Sequence, residues 1–338
     1  MLQFIVGAVA VVTAGTGIGV GASGVKKVRY AKAHINEIHD RHESNCNRMD
    51  MRTKMTNESM DSLALMELKV LDEFKDFSDL VEKIHNRPEF EEIVKDKNVV
   101  SGFNIEEIKK VSVGANLLIS GLAGAATGTA AGFAASGAVT SAIMVLGTAS
   151  TGTAISSLSG AAAVNATLAA LGGGSLAAGG GGIALGTTIL NLASVGTFIL
   201  VGGIVINATG RKLSQKAEEA YLQMLEEEEK INKICTYLTE LGAVADKYNT
   251  VLKKVYKRYV ELLNNMDMVI CEKGKTDWND FTNNEKNMFN ALVLLVGVLY
   301  NMCSLELVKK NDDENGMNTI NKQELFDNIK NADNHIKI

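Results

Sequence analysis

At 338 residues the chain is long enough for one large domain or two ordinary ones. A net charge of −5 leaves no basic field to neutralise phosphates, which argues against a nucleic-acid binder, and a single proline, Pro88, leaves long segments free to be helical. The four cysteines, Cys46, Cys235, Cys271 and Cys303, lack paired spacing and read as reduced, buried thiols, which suits a reducing compartment.

Charge is distributed very unevenly. Met1 to Val25 and Val111 to Gly210 contain no Asp, Glu, Lys, Arg or His, and the second stretch holds 21 of the 32 glycines. The 34 basic and 39 acidic residues are therefore packed into the rest of the chain, where about one residue in three is charged against a soluble average of about a quarter. This alternation divides the chain into five parts: an apolar Gly/Ala-rich N-terminal helix (1–25), a charged amphipathic region (26–110), a charge-free glycine-rich domain (111–210), a long heptad helix followed by a buried helix (211–310), and a polar tail (311–338).

A secretory signal places basic residues before its apolar core. Here the basic cluster Lys26, Lys27, Arg29 and Lys32 comes after it. The better reading of residues 1–25 is a helix that spans a membrane or packs in the bundle. If it spans, the basic flank keeps the rest of the chain cytoplasmic. Gly19-Val20-Gly21-Ala22-Ser23-Gly24 matches G-x-G-x-x-G, but no alternation of strand and helix follows, so it is not read as a dinucleotide site.

From Lys26 to His85 the pattern is helical. Leu63, Met66, Val70, Phe74, Phe77, Val81 and Ile84 recur at steps of three and four. The earlier part, through Ile35, Ile38, His42, Cys46 and Met49, is more polar and is expected to pack loosely or break near Asn57. His39, His42 and Cys46 share a helix face, and a helix seam explains them better than a metal site. After Pro88 come a short helix over 89–96, a turn at Ser101-Gly102, and a helix capped by Asn104 with Glu106 and Glu107 in its first turn.

That last helix runs into the charge-free domain. There Gly124, Gly128 and Gly132 form a small-residue ridge that lets helix backbones approach closely. Gly172, Gly173, Gly174, Gly179, Gly180, Gly181 and Gly182 read as a hinge or packing ridge, because no Lys-Ser/Thr pair follows to make them a phosphate loop. Residues 183–207 are the most apolar stretch and are long enough to cross a hydrocarbon core of about 30 Å. The residues expected to enter a bilayer are Ile183, Leu190, Leu192, Phe198, Leu200, Val201, Ile204 and Ile206. The domain lacks Trp and Tyr, the usual interfacial anchors, and each helical glycine costs about 1 kcal/mol, so it suits conditional insertion better than permanent residence.

Beyond Arg211, Ile231, Ile234, Leu238, Leu241, Ala245, Tyr248, Leu252, Val255, Tyr259, Leu262 and Met266 alternate steps of three and four. They mark a long helix whose seam closes an intramolecular bundle or, in the alternative, meets a protein partner through its 231–266 face. Gly274 marks a loop, and Thr282 with Glu285 signals a capping box for a helix to about Lys309 whose apolar centre, 291–300, is too short to span and is expected to be buried. Asn311-Asp312-Asp313-Glu314-Asn315-Gly316 begins like a calcium loop, but position twelve would be Lys322, so a turn is expected, followed by a weak helix over 322–330.

The glycine run Leu171–Gly182, followed by an apolar helix and a long charged helix, resembles bacterial proteins with a central glycine-rich hydrophobic domain, as does the Val6-Gly7 to Lys27 start. The arrangement is also similar to apolipoprotein-L-like channel proteins and α-helical pore-forming toxins. The resemblance implies membrane insertion and permeabilisation, and carries over no catalytic residue.

The expected fold is all-α, with long amphipathic helices in an elongated bundle around a glycine-rich hydrophobic hairpin. The expected function is non-enzymatic bilayer insertion, up to pore formation, by a toxin or defence effector. The alternative is a membrane-anchored coiled-coil scaffold or translocator-like component. No cofactor or metal is expected, and no nucleic acid. The partners would be a lipid bilayer and, once inserted, further copies of the chain. The location would be cytoplasmic and membrane-associated, in preference to secretion.

Overall fold

The structure, a computed structural model, describes residues 22–90, 93, 104–124, 211–309 and 318–336. Across them the protein is all-α apart from one short antiparallel ladder. The helices are α1 (Ala22–Asp72), α2 (Phe74–Val81), α3 (Ile105–Gly124), α4 (Arg211–Asp267), α5 (Asn283–Ser304) and α6 (Lys322–His335). Strands β1 (Val308–Lys309) and β2 (Thr319–Ile320) lie between α5 and α6. The chain divides into two units: residues 1–56 with 191–240, and residues 57–190 with 241–338.

In the first unit, α1 and α4 run side by side. Ile38, Ala220 and Met224 form a buried apolar cluster with Tyr221 packed against it. The His34 ring lies tilted against Tyr221 (ring centroids 4.7 Å apart), Arg41 pairs with Glu228 at 2.5 Å, Arg48 donates to Asn232 at 2.7 Å, and the Thr56 hydroxyl donates to the Leu238 carbonyl at 2.8 Å. These partners advance in the same direction on both helices, so the two are parallel. Ile35, His42, Cys46 and Met49 are only half-buried, which agrees with loose packing. The break expected near Asn57 is absent, and α1 is continuous to Asp72. The apolar phase persists through Met60, Leu63 and Ala64, all buried, and the polar residues between them do not interrupt the helix.

In the second unit, α2, α3, α5 and α6 pack with the later parts of α1 and α4. All eleven positions of the α4 stripe from Ile231 to Met266, in both units, are buried within the chain. The helix has the 57 residues expected from Arg211, on the order of 85 Å of rise. After Asp267 comes one π-helical turn, and then Gly274 at φ +68°, a left-handed position that glycine takes without strain. The segment after α2 is held by backbone bonds: His85 N–H donates to Thr276 O at 2.7 Å, and Trp278 N–H donates to His85 O at 3.0 Å.

The start of α5 has the expected reciprocal cap. Glu285 N–H donates to the Thr282 hydroxyl at 3.3 Å, Thr282 N–H donates to Glu285 Oε2 at 2.8 Å, and Lys275 Nζ donates to the same carboxylate oxygen at 2.8 Å. Lys275 and the cap together hold the Glu285 carboxyl down at about 2. A depressed carboxylate pKa stabilises the fold above its ordinary value near 4.5, and that contribution disappears as pH falls toward 2. Thr282→Ala is expected to cost about 1 kcal/mol in urea unfolding, and Glu285→Gln should flatten the acid limb of the stability–pH curve.

Several expectations need correction. The α5 helix stops at Ser304, short of Lys309, because residues 305–309 turn into β1. The 311–338 region is more than a polar tail with a weak helix. α6 reaches His335 and buries Leu325, Ile329 and Ala332. Val308 pairs with Ile320, and Asn321 anchors the joint by donating to the Glu306 carbonyl at 3.1 Å. Met66 is only half-buried, and Glu67 is fully buried beside it. The cysteines are free, but only Cys303 is buried; Cys271 is exposed, with Lys83 Nζ 3.2 Å from its sulfur.

The N-terminal segment 1–21, the turns at 101–102 and 311–316, and most of the 89–96 helix lie outside the described residues. So do all eight residues expected to enter a bilayer and every glycine of the two ridges except Gly124, the last residue of α3.

Candidate functional site

The first residues of the charge-free domain are built into the second unit through α3. Asn104 caps this helix, its side-chain oxygen accepting from Glu107 N–H at 2.8 Å, and Glu106 and Glu107 favour the positive end of the helix dipole. Ile108, Val111 and Ala115 are fully buried, and α3 packs against α2. The charge-free sequence therefore begins as core.

A set of polar contacts clasps this helix in place. The Ser112 hydroxyl donates to the Asp72 carbonyl at 2.7 Å, and the Asn116 amide donates to the Asp72 carboxylate at 3.0 Å. Lys109 pairs with Glu82, and the Tyr300 hydroxyl donates to Glu107 at 2.6 Å. Asp72 is the last residue of α1, so Ser112 takes up a carbonyl that the helix end leaves free. One residue later the Tyr259 hydroxyl donates to the Glu73 carbonyl at 3.1 Å, which also accepts from Asp76 N–H at 3.1 Å. Burial, reinforced by Glu107, holds the Tyr300 phenol protonated far above its ordinary range.

Glu67 lies in this same unit. Its side chain is fully buried, and neither carboxyl oxygen has a hydrogen-bond partner among the described residues. Burial alone pushes its pKa well above the ordinary carboxyl range. Burial is the first cause of the upward shifts of Tyr248 and Cys303, and an ionised Glu67 would add to both. The Tyr248 hydroxyl is turned elsewhere: it donates to the Met302 carbonyl at 3.0 Å and lies 3.1 Å from Asn328 Oδ1. The Cys303 sulfur is 3.9 Å from the Glu67 backbone carbonyl. Among the described residues no cation pairs with Glu67, so burial in this apolar core favours its protonated form.

Sequence periodicity passed over Glu67 in favour of Met66. Leu63, Glu67, Leu71 and Phe74 run at steps of four, four and three, so a phase centred on Leu63 and Leu71 would have found it. The clasp residues Ser112 and Asn116 carry no comparable signal, because small polar residues look alike at any point of the charge-free domain.

The His39–Cys46 face, expected as a helix seam, meets α4 only in part. His39 is exposed; His42 lies 3.6 Å from Glu227 and 3.6 Å from the Cys46 sulfur, and Cys46, followed by Glu227, raises its pKa. Among the described residues no group of three His, Cys, Asp or Glu side chains converges as metal ligands would. α5 is long and apolar enough to cross a membrane, but most of it is buried inside the protein, as expected of a core helix. In comparisons with protein-family models, curated proteins and solved structures, nothing matches this chain.

Proposed function

We propose that this chain is a membrane-inserting helical protein, held in a water-compatible form by its charged helices and acting by perturbing a bilayer, up to pore formation. One observation carries the reading. A charge-free run of one hundred residues, Val111–Gly210, starts as a core helix clasped into a charged bundle. The clasp consists of a few exchangeable polar contacts around Asp72, Glu82 and Glu107, and each can be replaced by water when α3 leaves. What α3 leads into has the length and apolarity for a bilayer at 183–207. The glycines at 172–182 would then serve as the bend, and Gly124, Gly128 and Gly132 as the ridge for helix contact once inserted.

The reading is tested by dye release from liposomes. The purified protein is expected to release dye, and Leu200→Asp should abolish release, because a central carboxylate costs about 2.5–3.5 kcal/mol at the middle of a spanning helix. Unchanged release by Leu200→Asp would remove 183–207 from the mechanism. Membrane association without release by the wild-type protein would favour a membrane-anchored scaffold instead.

A further inference from the structure

We propose that Cys46 is a peroxide-reactive thiol, with His42 as its base and Glu227 as the residue that orients that base. The site takes hydrogen peroxide or another small hydroperoxide and forms a sulfenic acid. It stands apart from the membrane reading and does not depend on it.

The site is built across two helices of the first unit. His42 and Cys46 are four residues apart on α1, so their side chains lie one turn apart on the same face. His42 Nε2 is 3.6 Å from the Cys46 sulfur, and His42 Nδ1 is 3.6 Å from Glu227 Oε2 on α4. The two ring nitrogens thus face two different groups, a thiol on one side and a carboxylate on the other. Nucleophile, base and orienting group stand in the order that activates a cysteine. Glu227 Oε2 is buried and makes no hydrogen bond among the described residues, so the imidazole is placed to serve it. Cys46, then Glu227, push the His42 imidazole up to about 10, against the opposing effect of burial. An imidazole held in this way keeps a proton received from the sulfur.

The other cysteines show what is particular to Cys46. Cys303 is buried. Cys271 is exposed, with Lys83 Nζ 3.2 Å from its sulfur, but an ammonium already carries all its protons and cannot take another. Cys235 lies on α4 in the same unit and is half-buried, as Cys46 is, which makes it the reference thiol. Half-burial of Cys46 admits a small oxidant more readily than a folded partner.

In the reaction the Cys46 sulfur, its proton passed to His42, attacks one oxygen of the peroxide. An S–O bond forms and the O–O bond breaks; sulfur loses two electrons and the peroxide gains them. The departing hydroxide takes the proton back from His42 and leaves as water. One thiol and one hydrogen peroxide thereby give one sulfenic acid and one water.

An unassisted thiol is only about 3 % ionised at neutral pH, so a base that takes its proton multiplies the reactive form by up to ~30, partly offset by lower nucleophilicity. The test treats the full chain with hydrogen peroxide at neutral pH, traps sulfenic acid with dimedone and reads each cysteine by mass spectrometry. Cys46 is expected to label faster than Cys235. His42→Gln should slow Cys46 at least ~10-fold and leave Cys235 and Cys271 unchanged. Glu227→Gln should slow Cys46 as well, and Glu227→Asp should restore part of the rate. Wild type should show more ultraviolet thiolate absorbance at neutral pH than Cys46→Ser, and His42→Gln should match Cys46→Ser, a signature that a merely structural role would not move. Labelling of Cys46 no faster than Cys235, or unchanged in His42→Gln, would overturn the proposal. If His42→Gln instead raises labelling at Cys235, the first unit has loosened, and the comparison of wild type with Cys46→Ser decides: no excess thiolate absorbance in wild type overturns the proposal.

Discussion

Glu67→Leu is expected to stabilise the second unit at neutral pH by about 1–3 kcal/mol and to remove most of its alkaline pH dependence. The carboxyl is fully buried, neither oxygen has a hydrogen-bond partner among the described residues, and burial holds its proton well above the ordinary value of 4.5. Below that value Glu67 is neutral in both the folded and the unfolded chain, so it has no effect on the pH slope. Above it, the unfolded chain releases the proton and the folded chain keeps it. Stability then falls as pH rises, with a slope approaching ~1.4 kcal/mol per pH unit until the folded carboxyl itself ionises. Urea unfolding at pH 5, 7 and 8.5 reads this directly, with fluorescence of the single tryptophan, Trp278, reporting on the second unit. Glu67→Gln should flatten the slope with a smaller gain, because its amide still lacks partners. A wild-type slope retained in both variants would show that Glu67 is not the group responsible. Through Glu67 the housing loosens with rising pH, whereas the Glu285 cap weakens only toward pH 2.

The parts of this fold that were legible in sequence are those where one helix repeats the same decision many times. The α4 stripe is the clearest: eleven apolar or aromatic positions in phase over a long helix leave only one face to bury, whatever covers it. Local chemistry was legible for the same reason at the caps, where Asn104 and Thr282 bond backbone groups three residues away. Long-range decisions were not legible. The parallel course of α1 and α4 depends on which side chains meet across more than 180 residues of sequence, and neither periodicity alone encodes it. Glu67 defeated the pattern because a polarity scale treats every carboxyl as charged and outward, while its neighbours Leu63, Leu68 and Leu71 bury the face it lies on. The β1–β2 ladder has two residues per strand, too few for any period to show. For the candidate site, the sequence marked the charge-free domain but not the bonds through Asp72 that join its first turns to the bundle.

Leu252→Ala is expected to destabilise the protein by about 2–5 kcal/mol, a large share of the 5–15 kcal/mol that holds a typical domain together. Leu252 is fully buried in the middle of the α4 stripe, between Tyr248 and Val255, which are also fully buried. Truncating it leaves a cavity that long, stiff helices close poorly. This substitution also separates two versions of the proposed function. If α3 must leave the bundle before the charge-free domain reaches lipid, loosening the bundle lowers that barrier. Leu252→Ala should then release liposome dye several-fold faster than wild type at a temperature where both remain folded. The double variant Leu252→Ala/Leu200→Asp should release none, which excludes nonspecific damage by an unfolded chain. If stability falls while the rate of release stays the same, release of α3 is not the slow step. The clasp at Ser112, Asn116 and Glu107 would then be a feature of the folded bundle alone, and the limiting event would lie in the membrane.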